Sequence, residues 1–503
     1  MTGPWGQILA GVAAAGEVIV IVTAGVSLGL RYGLTFAESA AYGAIGTMMA
    51  LSFLYQATFL TGLPSAGHLA ETLLVTAAAF YLTRRAGRPS GAVSTLQNTA
   101  RHSPLALAVL FLAVIWLGWN AMVFQPDMDQ WASLWPVLDM EKHGGLTVSG
   151  PFLNHRILSH LTLRFHTRFG LGLFGLLSYG SIGAATYALA RRYAWPETAL
   201  TVAMIVMSAP RLVMQATTPG LELIPAAAVV FALLALYRTV EQPTAPDFLL
   251  LGLGITFAVS DNPMGVTAPI ILVALSGVVL FRRHGGRRWW RLIADKPGLA
   301  MLAIAPLTVF SQVFQMAGGT AAKAHYAQNP DGIVGGGANL VRYFLESFHL
   351  TSAADSLCLR LIGVSPAAMI DRFYTVAVFP FCGARGAAAP FAVTWHKAAA
   401  GAWFGPLWFL LVLPAWLYAM VRGPRRLKAV AVSLAGYVYL TSLIPAWMPG
   451  NAGLFTVFFS SAGFMTAYLL PPWHFTARRR MVVQTICLTL MVYACAHMAF
   501  GAF

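Results

Sequence analysis

Acidic residues are scarce in this chain, with 17 Asp and Glu among 503 residues, so the position of each carboxylate carries information. Two of them, Asp127 and Asp129, stand one residue apart in the run Phe124-Gln125-Pro126-Asp127-Met128-Asp129-Gln130-Trp131. Such a pair can act as a general base, bind a divalent cation or hold a polyhydroxylated substrate. Any metal would therefore fall to Asp127 and Asp129. Asp129 could equally be the N-cap of an amphipathic helix expected at about 130–142. Downstream come Asn154, His155 and Arg156, then Ser159-His160, with Arg164 and Arg168 beyond. An Arg fork suits an anionic phosphate, and Arg156 is the best placed; Arg164 and Arg168 suit interfacial snorkelling as well.

Three further places combine polar groups with apolar surroundings. Arg211 and Gln215 precede Glu222, which would open a helix where the dipole favours a carboxylate, so simple helix-start chemistry competes with function there. Asp261 lies in Ser260-Asp261-Asn262-Pro263, a polar break between two apolar runs, and broken helices at membrane depth usually line a cavity. Glu17 and Glu71 also fall within apolar runs, where an ionisable residue is costly and marks function by default. Glu17 is read as a helix–helix pairing group and Glu71 as a group near the outer end of its span, where simple exposure is expected. Arg342, His396 and Lys397 add cations in a later loop.

The elements that must position these residues are membrane helices. The chain is 58% hydrophobic and 10% charged, against a usual charged share of about 25%. Apolar stretches long enough to cross a bilayer recur throughout. About fourteen spans are expected, near 8–30, 38–62, 68–83, 104–124, 169–190, 196–212, 220–238, 248–260, 264–281, 298–316, 402–421, 428–447, 452–471 and 481–503. The first run lacks a basic flank and a cleavage site, so it is expected to stay as a membrane helix. The net charge of +15 is not a nucleic-acid signal. Its arginines come in short clusters between apolar runs, as topology signals do. Most of them fall on one face, making that face cytoplasmic and both termini extracytoplasmic.

The fold class expected is thus an all-α polytopic membrane protein. It divides into a three-helix block with a linker (1–103), a membrane core (104–316) carrying a first outer loop (125–168), an extracytoplasmic region (317–401) and C-terminal helices (402–503). Both outer segments are expected to carry short amphipathic helices on the membrane surface. Cys358 and Cys382 share the second of them, where a disulfide and two free thiols are equally open.

The order of these features resembles the GT-C superfamily of membrane glycosyltransferases, in the branch of bacterial protein mannosyltransferases and aminoarabinose transferases. The resemblance covers about 104–281, and more faintly 400–420. It rests on the aspartate loop, Asn154-His155 with Leu158, the Gln215-Ala216…Glu222 turn and the polar knot at Asp261. It departs from the family in lacking a lysine at that knot, in having Arg156-Ile157 where a Pro-Pro pair is usual, and in the three helices placed first.

The resemblance implies transfer of a sugar from a polyprenyl-phosphate donor to an acceptor hydroxyl or amine at the outer face of a bacterial inner membrane. Asp127 or Asp129 would be the base, Glu222 would orient the sugar, and Arg156, His155, Arg342 or Lys397 would stabilise the phosphate leaving group. Two alternatives stay open. One is a non-catalytic membrane subunit of a larger complex; the other is a transporter or lipid flippase. Partners beyond the donor and membrane lipids are left to experiment, and no nucleic acid is expected.

Overall fold

A computed structural model describes residues 4–61, 65–86, 103–123, 128–143, 157–165, 167–218, 223–258, 267–294, 328–348, 352–392, 404–448, 451–470 and 476–500. Among these residues the chain is helical, with two isolated β-bridges, Gln328–Pro445 and Ala387–Trp447, and no strand. The helices used below are α1 (Pro4–Arg31), α2 (Phe36–Thr61), α3 (Ser65–Ala86), α4 (Pro104–Val123), α5 (Met128–His143), the single turn α6 (His160–Leu163), α7 (Leu173–Ala190), α8 (Pro196–Met207), α9 (Pro210–Gln215), α10 (Leu223–Glu241), α11 (Ala245–Ala258) and α12 (Thr267–Ala294). Beyond them lie α13 (Gly332–Ser347), α14 (Ser352–Ile362), α15 (Pro366–Phe373), α16 (Leu413–Arg422), α17 (Arg425–Leu443), α18 (Thr456–Ala462) and α19 (Ala477–Phe500).

The protein is a multi-pass membrane protein. Four described helices are long and apolar enough to cross a bilayer alone: Trp5–Arg31, Leu173–Ala190, Leu223–Glu241 and Ala477–Ala496. The bent pair Asp355–Ile362 and Pro366–Cys382 adds a fifth if it counts as one span. This is fewer than the fourteen expected from apolar length. Helices α8 and α11 hold only 12 and 14 residues, short of the roughly 20 a straight crossing needs. The 456–470 stretch alternates α- and 3-10 turns. The expected span at 298–316 lies outside the described residues.

Helix α10 is apolar all round, and 89% of its most apolar stretch is buried within the protein. A helix of that kind belongs at the centre of a bundle. It packs against α2, α7, α11, α12 and α18. Helices α1 and α2 meet at Gly25 and Gly43, so closely that a Cβ on Gly25 would stand 2.7 Å from the Gly43 Cα. Small residues of this kind let membrane helices approach without side chains between them.

One end of the bundle is tied by charge. Glu38 at the start of α2 pairs with Arg192 at 3.1 Å and Arg238 at 3.2 Å. Arg238 reaches Asp247 at 3.0 Å, and Arg192 reaches Glu241 at 3.0 Å. This network joins α2, the segment after α7, α10 and α11 at the end where α1 and α3 finish in Arg31 and Arg84-Arg85.

Candidate functional site

Toward the opposite end, five elements bring three carboxylates, a histidine and an arginine together. The geometry begins with α5. Leu134, Val137 and Met140 are its buried apolar stripe, and Glu141 lies four residues after Val137, on the same face. A carboxylate is therefore carried inward by the helix that buries its neighbours. Burial pushes the Glu141 carboxyl up to about 8, against a smaller lowering effect from Arg164.

The chain then returns through a tight 3-10 turn at Ile157–Ser159 into α6. All residues from Ile157 to Leu163 are buried, including His160. This apolar return strand of helix runs back along α1: Thr167 donates its hydroxyl to the Gln7 carbonyl at 2.8 Å, and Arg164 reaches Glu17 further along the same helix at 2.6 Å. The return segment is thus inserted between α1 and α2.

His160 is the hub. Its Nδ1 stands 2.9 Å from Glu141 Oε1, and its Nε2 stands 4.0 Å from Glu71 Oε2 on α3. Tyr55 and Phe59 of α2 meet its ring edge to face, with centroids 4.9 and 4.8 Å away. Thr58, between them, donates its hydroxyl to Glu71 Oε1 at 2.8 Å. Helix α2 therefore fixes both the ring plane and the second carboxylate. The Arg164 guanidinium lies over the Phe165 ring at 4.8 Å and the Tyr55 ring at 5.8 Å.

Charge counting constrains the state of this cluster. Three ionised carboxylates and one guanidinium would leave two uncompensated negative charges in a buried site, which is expensive. Keeping Glu141 protonated near neutral pH removes one, and a protonated His160 would remove the other. The cluster can hold or pass a proton: Glu141 can give one to Nδ1 while Nε2 faces Glu71. The 4.0 Å gap to Glu71 exceeds a direct hydrogen bond, so the second transfer needs a small ring shift or a bridging water.

Beside the cluster, between α1 and α3, lies a partly open cavity of about 180 Å³ lined by Ala13, Gly16, Glu17, Val20, Thr72, Thr76 and Phe165. Glu17 Oε1 is buried there without a hydrogen-bond partner, as are Arg164 Nε and Nη1 behind it and the Tyr55 hydroxyl.

The residues singled out from sequence are distributed as follows. Asp127, Asn154, His155, Arg156, Glu222, Asp261, His396 and Lys397 lie outside the described residues, as does the Asp129 side chain. Arg211 is buried and donates Nε to Thr456 Oγ1 at 3.2 Å. Gln215 ends α9, half-buried, on the neighbouring turn. Arg342 is fully buried and spends its guanidinium on the protein itself: Tyr374 hydroxyl, Asn339 Oδ1 and the carbonyls of Arg385 and Gly383, all at 2.7–2.8 Å. That arrangement ties α13 to the segment carrying Tyr374, Gly383 and Arg385 and engages four of the five guanidinium N–H groups. Cys358 and Cys382 are both free thiols. Among the described residues no group of three or more His, Cys, Asp or Glu is arranged to hold a metal ion.

Glu17 pairs with a residue outside its own helix, as its place in an apolar run implies; Glu71, expected to be exposed, is instead buried, because Thr58 of α2 and His160 pack over it. Glu141, and the position of His160 between two carboxylates, were not marked by local motif spacing. The available signal was Glu141 riding on the apolar face of an amphipathic helix, which a solvated acid would avoid.

No family model matches the chain. Two curated proteins are similar to it over part of their length. One is a heme A synthase from Rhodopseudomonas palustris strain BisB5, 30% identical over 154 residues, covering 30% of this chain and 41% of the relative. The other is a heme A synthase from strain HaA2 of the same species, 29% identical over 224 residues, covering 42% of this chain and 58% of the relative. The chain spans about half the length of the curated relatives it matches.

These similarities correct the GT-C resemblance. The relatives are named for heme A synthesis, not for glycosyl transfer, so the glycosyltransferase reading and its polyprenyl-phosphate sugar donor are set aside. The subunit and flippase alternatives gain no support from them either. The resemblance had rested on spacings of short polar motifs between apolar helices, a pattern that unrelated membrane proteins share.

A heme needs an apolar slot and, when bound through iron, an axial ligand such as His. His143 and His160 are the histidines with described side chains. His143 turns back on Asp139 of its own helix, and both ring nitrogens of His160 face carboxylates. The described residues therefore do not fit an axial histidine pair, and no step is assigned to iron.

Proposed function

We propose that this chain is a membrane-embedded enzyme of heme A formation or a closely related heme conversion, with Glu141, His160 and Glu71 as its proton-handling centre. The heme enters this reading as substrate, on the strength of the partial similarity to the two heme A synthases. The observation that carries it is the buried histidine set between two carboxylates in a helical bundle. Intramembrane ionisable groups are expensive to keep and mark proton relays and reaction sites.

In this reading His160 takes a proton from Glu141 at Nδ1 and presents one at Nε2 toward Glu71. Tyr55 and Phe59 hold the ring so that the two nitrogens keep their separate partners. Arg164 and Glu17 form a neutral pair that keeps the neighbouring charge balanced. The cluster lies toward the end of the bundle opposite the Glu38–Arg192–Arg238 network; with the arginine-rich end on the cytoplasmic side, the cluster faces outward in this reading.

The test is heme composition. In membranes of cells lacking the chain, heme A separated by reverse-phase chromatography should fall. The wild-type chain should restore it, and His160→Phe should not. Unchanged heme A in the deletion strain refutes the heme reading; full restoration by His160→Phe refutes the assignment of the centre.

A further inference from the structure

The cavity between α1 and α3 has features of a binding site in its own right, and nothing in the proton-handling reading uses it. Its volume, about 180 Å³, slightly exceeds the roughly 150 Å³ apolar cavity known to accept a benzene ring. It is lined by Ala13, Gly16, Glu17 and Val20 of α1, Thr72 and Thr76 of α3, and Phe165. The helix faces around it end in exposed apolar side chains, Leu9, Val12 and Ile19 on α1 and Leu73 on α3. In a membrane protein those side chains meet lipid, so the cavity is reached from within the bilayer.

Glu17 is the one ionisable residue in the lining and sets the chemistry of a ligand. Glu17 Oε2 is held by Arg164 at 2.6 Å, while Oε1 is buried with no partner. The orphan is a hydrogen-bond acceptor, and a buried acceptor left unpaired costs about 1–3 kcal/mol. An anionic head group would meet the carboxylate and be repelled. A hydroxyl would donate to it. The pairing with Arg164 makes the site neutral overall, which suits a neutral head group.

We propose that this cavity binds a lipid-soluble molecule with a neutral, hydroxyl-bearing single aromatic ring, the phenol or quinol class, entering from the membrane. The ring lies against Phe165 between α1 and α3. Its hydroxyl donates to Glu17 Oε1, and its apolar tail leaves between Ile19 and Leu73. The inference does not depend on the heme reading.

The experiment compares 4-pentylphenol with pentylbenzene, identical but for the hydroxyl, by calorimetric titration of the purified full chain in detergent. A site built around a hydrogen bond rejects the analogue that lacks the group. The phenol should bind saturably and at least tenfold more tightly than pentylbenzene. Gly16→Leu should abolish binding, because a Cβ at Gly16 meets no atom within 4 Å and the longer side chain grows into the open space. Gly277→Leu on α12, equally open at its Cβ, should leave binding intact. If Gly16→Leu fails to fold, Thr76→Val removes only a lining hydroxyl and should weaken the phenol three- to tenfold. Equal binding of the two probes, or undiminished binding in both the Gly16→Leu and Thr76→Val proteins, overturns the proposal. So does tighter binding of decanoate than of the phenol, since that would assign the cavity to an anion.

Discussion

Arg164 and Glu17 form a buried ion pair whose strength follows from its geometry. The two groups meet at 2.6 Å with side-chain exposures of 1% and 5%. At an effective dielectric of about 20, two unit charges at that distance attract by roughly 6 kcal/mol. Desolvating both ions takes back most of this, so the net worth of the pair is small. Breaking it from one side is different, because the survivor stays buried and uncompensated. Arg164→Met should therefore destabilise the protein by about 3–5 kcal/mol. Glu17→Gln should cost about as much, since it strands a guanidinium whose Nε and Nη1 already lack partners. The double variant Glu17→Gln/Arg164→Met should recover at least about 2 kcal/mol relative to the sum of the singles. The assay is unfolding of the purified protein in mixed micelles of detergent and SDS, followed by circular dichroism, with all four proteins in one thermodynamic cycle. Strict additivity would refute the reasoning, because it would mean that the two side chains do not sense each other in the folded state.

The remaining predictions use the same material. Glu141, pushed up to about 8 by burial, holds its proton more tightly folded than unfolded. Its effect on stability is thus least harmful below about pH 4.5, and stability is lost as pH rises from there toward 8. Glu141→Gln should flatten that slope, which unfolding midpoints measured from pH 5 to pH 8 will register; an unchanged slope would assign the titration elsewhere. His160→Phe should keep the edge-to-face contacts with Tyr55 and Phe59 but take away the partner of the largely buried Glu141, so it should cost about 1–3 kcal/mol, while the proposed function has heme A formation lost. Arg342→Met removes the donor of four hydrogen bonds, and limited proteolysis should then cut within 332–392 far faster than in wild type. Gly25→Leu should separate α1 from α2 and lower the unfolding midpoint sharply, since even a Cβ would meet the Gly43 backbone at 2.7 Å.

The helical, membrane-embedded character was legible because it follows from composition and apolar length, which act along the chain. Helix positions followed too: the 104–124, 169–190 and 428–447 stretches are occupied by α4, α7 and α17 with small shifts at their ends. The number of crossings stays an expectation, because apolar length alone cannot distinguish a helix that spans from one that is short and buried among others, as α8 is. The site was legible in part. Glu17 and Glu71 stood out as acids in apolar runs, but their partners lie 147 residues away for Glu17–Arg164 and on a separate helix for Glu71. Such pairings are made by tertiary packing and leave no trace in local spacing. Arg342 shows the converse: a loop cation that invites a phosphate by type is consumed by four neighbours once the region folds.

What makes the cluster worth keeping is that it resists the usual economy of a membrane interior. An apolar core of the same volume would avoid the desolvation of three carboxylates, one histidine and one arginine, and buried ion pairs are often no more stable than such a core. The structure nevertheless devotes five separate elements to assembling the group, and it orients each member: α2 clamps the imidazole with two rings and hands a hydroxyl to Glu71, α5 turns an acid inward, and the return segment delivers His160 and Arg164 together. A purely structural pair would need only Glu17 and Arg164. Glu141 and Glu71 are surplus to that pair, and both lie on His160, one on each nitrogen. That surplus is the argument for proton handling. It fails if Glu141→Gln and Glu71→Gln together raise stability without loss of function, for then the acids would be a burden that nothing in the protein's chemistry requires.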